Sequence, residues 1–296
     1  MPETKVVCSF YKYVKIDSPA KFQQEHLELC KYLNLKGRIL VGEEGINGSV
    51  YGTRENVEEY KSKLRKNPLF QDIEFKDTVA EKPAYRKMFV RLRKEIVNFG
   101  LNIDLRSSGK YLTPAELKEM LDRNEEIVLV DMRNDYEFKI GRFRNAINLP
   151  ISNFRDLPNT IANIINLKNK KIVAYCTGGI RCEKATAYLK ENGFENVYQI
   201  KGGILKFGEE YPDTYWEGKC FVFDDRLAIS LNKNKKESLT ECVWCNRKCD
   251  DYLNCHNLDC DKLFVCCEGC KEIHNKSCSE KCFKAEKRRK EVAVEL

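Results

Sequence analysis

Ten of the fifteen cysteines in this 296-residue chain lie between Cys242 and Cys282. A stretch so dense in thiols and so poor in large apolar residues is held either by disulfides or by metal ions, not by an ordinary core. The start, Met1-Pro2-Glu3-Thr4-Lys5, lacks the basic-then-apolar pattern of a signal peptide. No apolar run approaches the ~18 residues of a membrane span. A cytoplasmic protein with no membrane partner is therefore expected. In that reducing compartment the cysteine block reads as metal binding. The close pairs are Cys242-x2-Cys245, Cys255-x4-Cys260, Cys267-x2-Cys270 and Cys278-x3-Cys282. Their eight thiolates suit two closed tetrahedral Zn²⁺ sites with a structural role. Cys249 and Cys266 are left over, and His256 and His274 are further candidate ligands. An iron–sulfur cluster is the rival reading, since four cysteines suit it too.

The rest of the chain divides into two parts with cores of their own. Residues 1–104 alternate short strands and helices. Val6–Tyr11, Arg38–Val41, Gly45–Tyr51, Ile73–Lys76 and Met88–Leu92 read as strands. Pro19–Leu33 reads as a helix capped by Ser18, and a second helix runs from a Thr53 cap to Lys66. The order β-α-β-β-α-β predicts a ferredoxin-like α+β sandwich. Residues 105–219 predict a parallel α/β unit. Thr113-Pro114-Ala115-Glu116 is a capping box with proline at the first helical position. Ile127–Asp131 and Lys171–Tyr175 are apolar strands of the kind covered on both faces. Cys182–Asn192 reads as a helix closed by Gly193, Asn196–Ile200 as the last strand. Residues 220–296 form the cysteine-rich part and end in the basic run Lys287–Lys290.

The sharpest chemical signal is Cys176-Thr177-Gly178-Gly179-Ile180-Arg181. A buried strand ends at a thiol. Two glycines let the backbone curl, so that the amides of Thr177, Gly178, Gly179, Ile180 and Arg181 can face one centre. A helix start adds its positive dipole end, and Arg181 adds a cation. Each feature lowers the pKa of Cys176 and would equally stabilise a persulfide on it. The bland alternative is a structural cysteine before an ordinary glycine turn. Cys182, a turn further on, is either a resolving thiol or a small packing residue.

These residues resemble the rhodanese domain. Asp131-Met132-Arg133 followed by Glu137, the segment Gly141–Pro150, and Asn196–Gly203 match its blocks in order. Arg142 stands where many rhodaneses have histidine. A six-residue loop suits sulfur, whereas related phosphatases use a loop one residue longer. The block Gly42-Glu43-Glu44-Gly45-Ile46-Asn47-Gly48-Ser49, the run Cys176–Cys182 with Glu183-Lys184-Ala185, and the cysteine-rich tail together resemble the rhodanese-related tRNA uridine hydroxylases over essentially the whole chain. That resemblance implies oxygen-dependent formation of 5-hydroxyuridine at the wobble position of tRNA, with Cys176 as the functional cysteine, Arg181 beside it and molecular oxygen as co-substrate.

The residues themselves show an activated thiol and no oxygenase signature. The three histidines do not supply a two-histidine, one-carboxylate iron site, and no flavin or nicotinamide fingerprint is present. A persulfide sulfurtransferase acting on tRNA or a carrier protein is thus the alternative enzyme, and a non-catalytic tRNA-binding adaptor the alternative from another class. Net charge is +7, and residues 1–100 hold 19 basic against 14 acidic side chains. Lys82, Arg86, Lys87, Arg91, Arg93 and Lys94 form an acid-free run with Tyr85 and Phe89 between them. Lys82, Tyr85, Arg86, Lys87, Arg91 and Arg93 are the candidate contacts to the tRNA anticodon region. A solvated edge strand gives the same pattern.

Overall fold

The computed structural model describes residues 4–234 and 237–289. Lys290, the last of the basic run, lies outside them. The N-terminal part is built from β1 (Lys5–Tyr13), α1 (Pro19–Tyr32), β2 (Lys36–Gly42), β3 (Gly45–Thr53), α2 (Arg54–Arg65), β4 (Phe75–Val79) and β5 (Met88–Leu92). Its sheet order is β4-β1-β3-β2-β5. The first four positions are the ferredoxin-like arrangement, and β5 adds a parallel edge strand beside β2. Thr53 caps α2 by accepting from the Asn56 N–H at 3.2 Å. Ser18 precedes α1 without a side-chain cap bond. The strand expected at Ile73–Lys76 lies later, because Ile73 ends the turn around Phe70 (Ile73 N to Phe70 O, 3.1 Å).

Strand alternation sorts β1 onto two faces. Val6, Cys8 and Phe10 enter the core beneath the helices, with Ile39, Val50, Tyr60 and Phe70. Val7, Ser9, Tyr11 and Tyr13 point the other way. Ser9 lies opposite Ser49 on β3 and opposite Lys76 on β4. This second face is thus polar and aromatic.

The second part contains β6 (Lys110–Leu112), α3 (Pro114–Asp122), β7 (Ile127–Asp131), α4 (Asp135–Ile140), β8 (Gly141–Phe143), β9 (Ile147–Asn148), β10 (Lys171–Tyr175), α5 (Ile180–Glu191), β11 (Asn196–Ile200) and α6 (Gly203–Glu210). Its sheet, β6-β11-β10-β7-β9, is parallel throughout. Thr113 and Glu116 form the predicted capping box. Helix α5 begins two residues earlier than expected, at Ile180, so Arg181 and Cys182 both sit in its first turn. Val130, Ile172, Ala174, Cys176 and Ala185 share one core beneath the sheet. The rhodanese-type α/β architecture expected from the sequence is therefore present, beside the ferredoxin-like module.

The remaining elements are β12 (Trp216–Phe221), β13 (Ala228–Ser230), β14 (Tyr252–Asn254), β15 (Leu263–Val265), α7 (Glu268–Ile273) and α8 (Glu280–Phe283). The chain forms two compact units. One holds the residues up to Asp135, 145–211 and 223–226; the other holds 136–144, 212–222 and 227 onward. The second unit therefore includes residues that precede 220. The short β8 pairs with β12 across a long sequence gap, which no local periodicity announces. Among the described residues no helix is long and apolar enough to cross a membrane.

Candidate functional site

Cys176 follows directly on the buried strand β10 and is itself fully buried. Gly179 turns the chain with φ +104° and delivers its N–H to the Cys176 Sγ at 3.2 Å. Helix α6 braces the loop from behind: Ile204 N donates to Cys176 O at 3.0 Å and Leu205 N to Thr177 O at 3.1 Å. A Cβ on Gly203 would lie 2.5 Å from the Cys176 carbonyl oxygen and 2.8 Å from the Gly179 nitrogen, so this contact needs glycine. Arg181 is buried, donates to Thr177 Oγ1 at 3.2 Å, and stacks 5.5 Å from the Phe223 ring.

The electrostatics follow from that geometry. Burial alone raises the Cys176 thiol. Hydrogen bonding to Cys182, the Arg181 charge and the amides of Cys182 and Arg181 outweigh it, and the pKa comes down to about 6. Cys182 is driven the other way, well above the usual thiol range, by burial and by the Cys176 charge. The pair is thus driven apart, Cys176 toward the thiolate and Cys182 toward the thiol.

A second wall comes from β1. The Tyr11 hydroxyl donates to Glu183 Oε1 at 2.9 Å, and a Cβ on Gly179 would meet it at 2.9 Å. Glu183 also accepts from the Tyr111 hydroxyl at 2.5 Å and from Gln199 Nε2 at 3.2 Å. Its neighbour Lys184 is buried and pairs with Glu44 at 2.9 Å and Glu95 at 3.7 Å. The Tyr13 hydroxyl is buried with no hydrogen-bond partner among the described residues. The Cys176 loop is thus enclosed by the polar face of the first sheet. Sequence reading singled out none of Tyr11, Tyr13, Tyr111 or Lys76. The alternation of β1 carries the signal, since Val7, Ser9, Tyr11 and Tyr13 break from a purely solvated face.

The eight cysteines expected as ligands gather into two sets: Cys242, Cys245, Cys267 and Cys270, then Cys255, Cys260, Cys278 and Cys282. Within each set all sulfurs lie within 4.8 Å of one another. The Cys245–Cys267 separation is 3.6 Å, and Cys260–Cys278 and Cys278–Cys282 are both 3.7 Å. A tetrahedron with metal–sulfur bonds of ~2.3 Å has edges of ~3.8 Å, so each set fits one ion. His274 stacks on Trp244 at 3.6 Å instead of joining a set, and Cys249, Cys266 and His256 stand outside both.

The basic run is divided by the fold. Lys82, Arg86, Lys87, Arg91 and Arg93 are exposed, whereas Tyr85 is buried against Val7, Tyr51 and Ala84. Tyr85 is therefore closed to base stacking. Phe89 is the exposed ring, with the Arg91 guanidinium 5.0 Å from its centroid.

A parallel sheet ending in a glycine loop that activates a cysteine defines a rhodanese-type protein. Residues 113–210 match the rhodanese-like domain, residues 5–96 the UPF0176 acylphosphatase like domain, and residues 217–283 the rhodanase C-terminal model. The chain is 45% identical over 290 residues to the tRNA uridine(34) hydroxylase of Staphylococcus haemolyticus, covering 96% of this chain and 90% of that one. It is 43% identical to the protein of the same name from Bacillus licheniformis, over 93% and 87% of the two chains. With that of Cytophaga hutchinsonii the figures are 42%, 92% and 88%. The chain belongs to the tRNA uridine(34) hydroxylase family.

Proposed function

We propose that this protein hydroxylates uridine 34 of tRNA at C5, with Cys176 as the reacting group. The observation that carries the reading is Cys176 itself, buried where β10 ends with the Gly179 N–H on its sulfur, in a chain that matches a tRNA uridine(34) hydroxylase over 90% of that protein's length. A thiolate adds to C6 of a pyrimidine and so makes C5 nucleophilic toward an electrophilic oxygen donor; expulsion of the thiolate with loss of the C5 proton restores the ring. Molecular oxygen is the proposed source of the added atom; its second atom leaves as water, which takes two electrons and two protons from an external thiol reductant that ends as a disulfide. Arg181 and the loop amides from Thr177 to Arg181 hold the thiolate between turnovers. If Cys176 is oxidised to a sulfenic acid, Cys182 is placed to condense with it, giving a disulfide and water. The exposed Lys82, Arg86, Lys87, Arg91 and Arg93 supply phosphate contacts, and Phe89 takes the stacking place expected of Tyr85.

The two four-cysteine sets are proposed as structural Zn²⁺ sites. Zinc there would supply cross-links in a segment with few large apolar residues, and a closed set of four thiolates leaves no position for substrate.

Nucleoside mass spectrometry tests the reaction. In cells lacking the protein, wild type should restore 5-hydroxyuridine derivatives in tRNA and Cys176→Ala should not. Loss of thiolated nucleosides with unchanged 5-hydroxyuridine would make the chain a sulfur donor instead. Trapping on tRNA carrying 5-fluorouridine should give a Cys176-linked adduct, and its absence would count against attack at C6.

A further inference from the structure

Lys76 is a buried cation with no assigned task. It lies on β4 opposite Ser9 of β1, on the polar face of the first sheet, and only 8% of it is exposed. It makes neither a hydrogen bond nor an ion pair among the described residues. The nearby carboxylates are taken: Glu74 pairs with Lys201 at 2.8 Å, and Glu183 accepts from Tyr11, Tyr111 and Gln199. The Lys76 ammonium instead lies 5.1 Å from the centroid of the Tyr11 ring, whose hydroxyl covers Gly179. Its Cε would sit 3.4 Å from a Cβ on Gly202, in the turn that packs on the Cys176 loop through Gly203.

Burial makes this ammonium costly, the charges of Glu74 and Cys176 offset part of that cost without reaching ion-pair distance, and the Tyr11 face returns a little more. Such a group is retained where an anion arrives. Uridine is neutral at neutral pH, and the anions that an RNA brings are its phosphodiesters, one per nucleotide. Building on the tRNA reading above, we propose that Lys76 binds a phosphodiester oxygen adjoining the nucleotide presented to Cys176. The site is distinct from the exposed basic run on the sheet edge. It fixes the target nucleotide, whereas the exposed cations hold the loop in general.

The test uses the full-length, metal-replete protein and two probes. Thermal shifts are compared for uridine 5′-monophosphate and for uridine, on wild type and Lys76→Met. The nucleotide should stabilise wild type more than the nucleoside does, and Lys76→Met should remove that difference. Without ligand, Lys76→Met should melt no lower than wild type, because an apolar chain of similar length replaces an unpaired charge. An anticodon stem-loop RNA should bind Lys76→Met about tenfold more weakly, the effect of one charge-assisted hydrogen bond. A methylphosphonate beside the target uridine should weaken wild type and leave Lys76→Met unaffected. No difference between nucleotide and nucleoside on wild type overturns the anion site, whatever the stem-loop does. Discrimination of the nucleotide by wild type but not by Lys76→Met, with no stem-loop binding to either, upholds the anion site and sinks the tRNA reading alone. Unchanged RNA affinity with a raised alkylation pKa of Cys176 would make Lys76 a counter-ion of the thiolate and overturn the phosphate contact.

Discussion

The Tyr11 hydroxyl donates to Glu183 at 2.9 Å and lies where a side chain on Gly179 would have to go. A residue of the first sheet therefore fixes the helix that follows the cysteine loop and at the same time enforces the glycine inside it. The ferredoxin-like module and the thiol loop work as one structure, joined by this clasp and by the Lys184–Glu44 pair.

Gly179→Ala tests the clasp. The new methyl meets the Tyr11 oxygen at 2.9 Å and the backbone stands at φ +104°. The expected loss is about 1–3 kcal/mol of stability from backbone strain, plus the clash. Tyr11→Phe removes the oxygen, so the double variant should lose less than the sum of the two single changes. Urea denaturation of the four proteins measures the coupling. Strict additivity would place Tyr11 away from the loop.

The acid–base behaviour of Cys176 gives a second expectation. Alkylation by iodoacetamide should rise with pH around a midpoint of about 6 and level off above it. Arg181→Met removes the cation and should raise that midpoint by about one unit, slowing alkylation roughly tenfold on the acid side. The folded-state pKa lies below the ordinary thiol value of about 8.5. The thiolate's contribution to stability is thus complete above that value and is lost as the pH falls through 6. A midpoint near 8.5 in wild type would remove the basis for an activated thiol.

Metal analysis gives a third. Purified protein should carry two zinc ions per chain, since two sets of four sulfurs are present. Cys267→Ser should lose one ion and keep the other, because no cysteine is shared between the sets. Chelation should unfold the cysteine-rich segment, as zinc binding there is folding free energy on the order of 10 kcal/mol. Iron with acid-labile sulfide in place of zinc would overturn the assignment.

Local patterns made much of this legible beforehand. The strand ends at Tyr175 and Asp131, the capping box at Thr113 and the four cysteine pairs all declare themselves within a few residues. Pairing between distant segments does not. Spacing cannot show that Cys242 and Cys245 join Cys267 and Cys270, passing over the nearer Cys255 and Cys260, because the interleaving is decided by the β14–β15 hairpin between them. The basic run was visible, but the inward turn of Tyr85 was not, since it depends on Val7 and Tyr51 of other strands. Lys76 looks like any surface lysine until Tyr11 and Gly202 are seen around it.

The buried pair between Lys184 and Glu44 carries the last prediction. Lys184 is 3% exposed and its ammonium also lies 3.7 Å from Glu95. Glu44, in the turn between β2 and β3, receives the Ile96 N–H at 2.7 Å, and Glu95, in the linker that follows β5, receives the Phe99 N–H at 2.6 Å, so both carboxylates are fixed on that linker. Lys184→Met leaves two partly buried carboxylates without their cation and should cost about 3 kcal/mol. Glu44→Gln keeps the amide contact and leaves Lys184 its Glu95 partner, so it should cost less, about 1–2 kcal/mol. The double variant should be more stable than Lys184→Met alone, because one uncompensated charge is gone. Urea midpoints at neutral pH decide the matter. If Lys184→Met costs under about 0.5 kcal/mol, water reaches the pair and the linker is not held by charge.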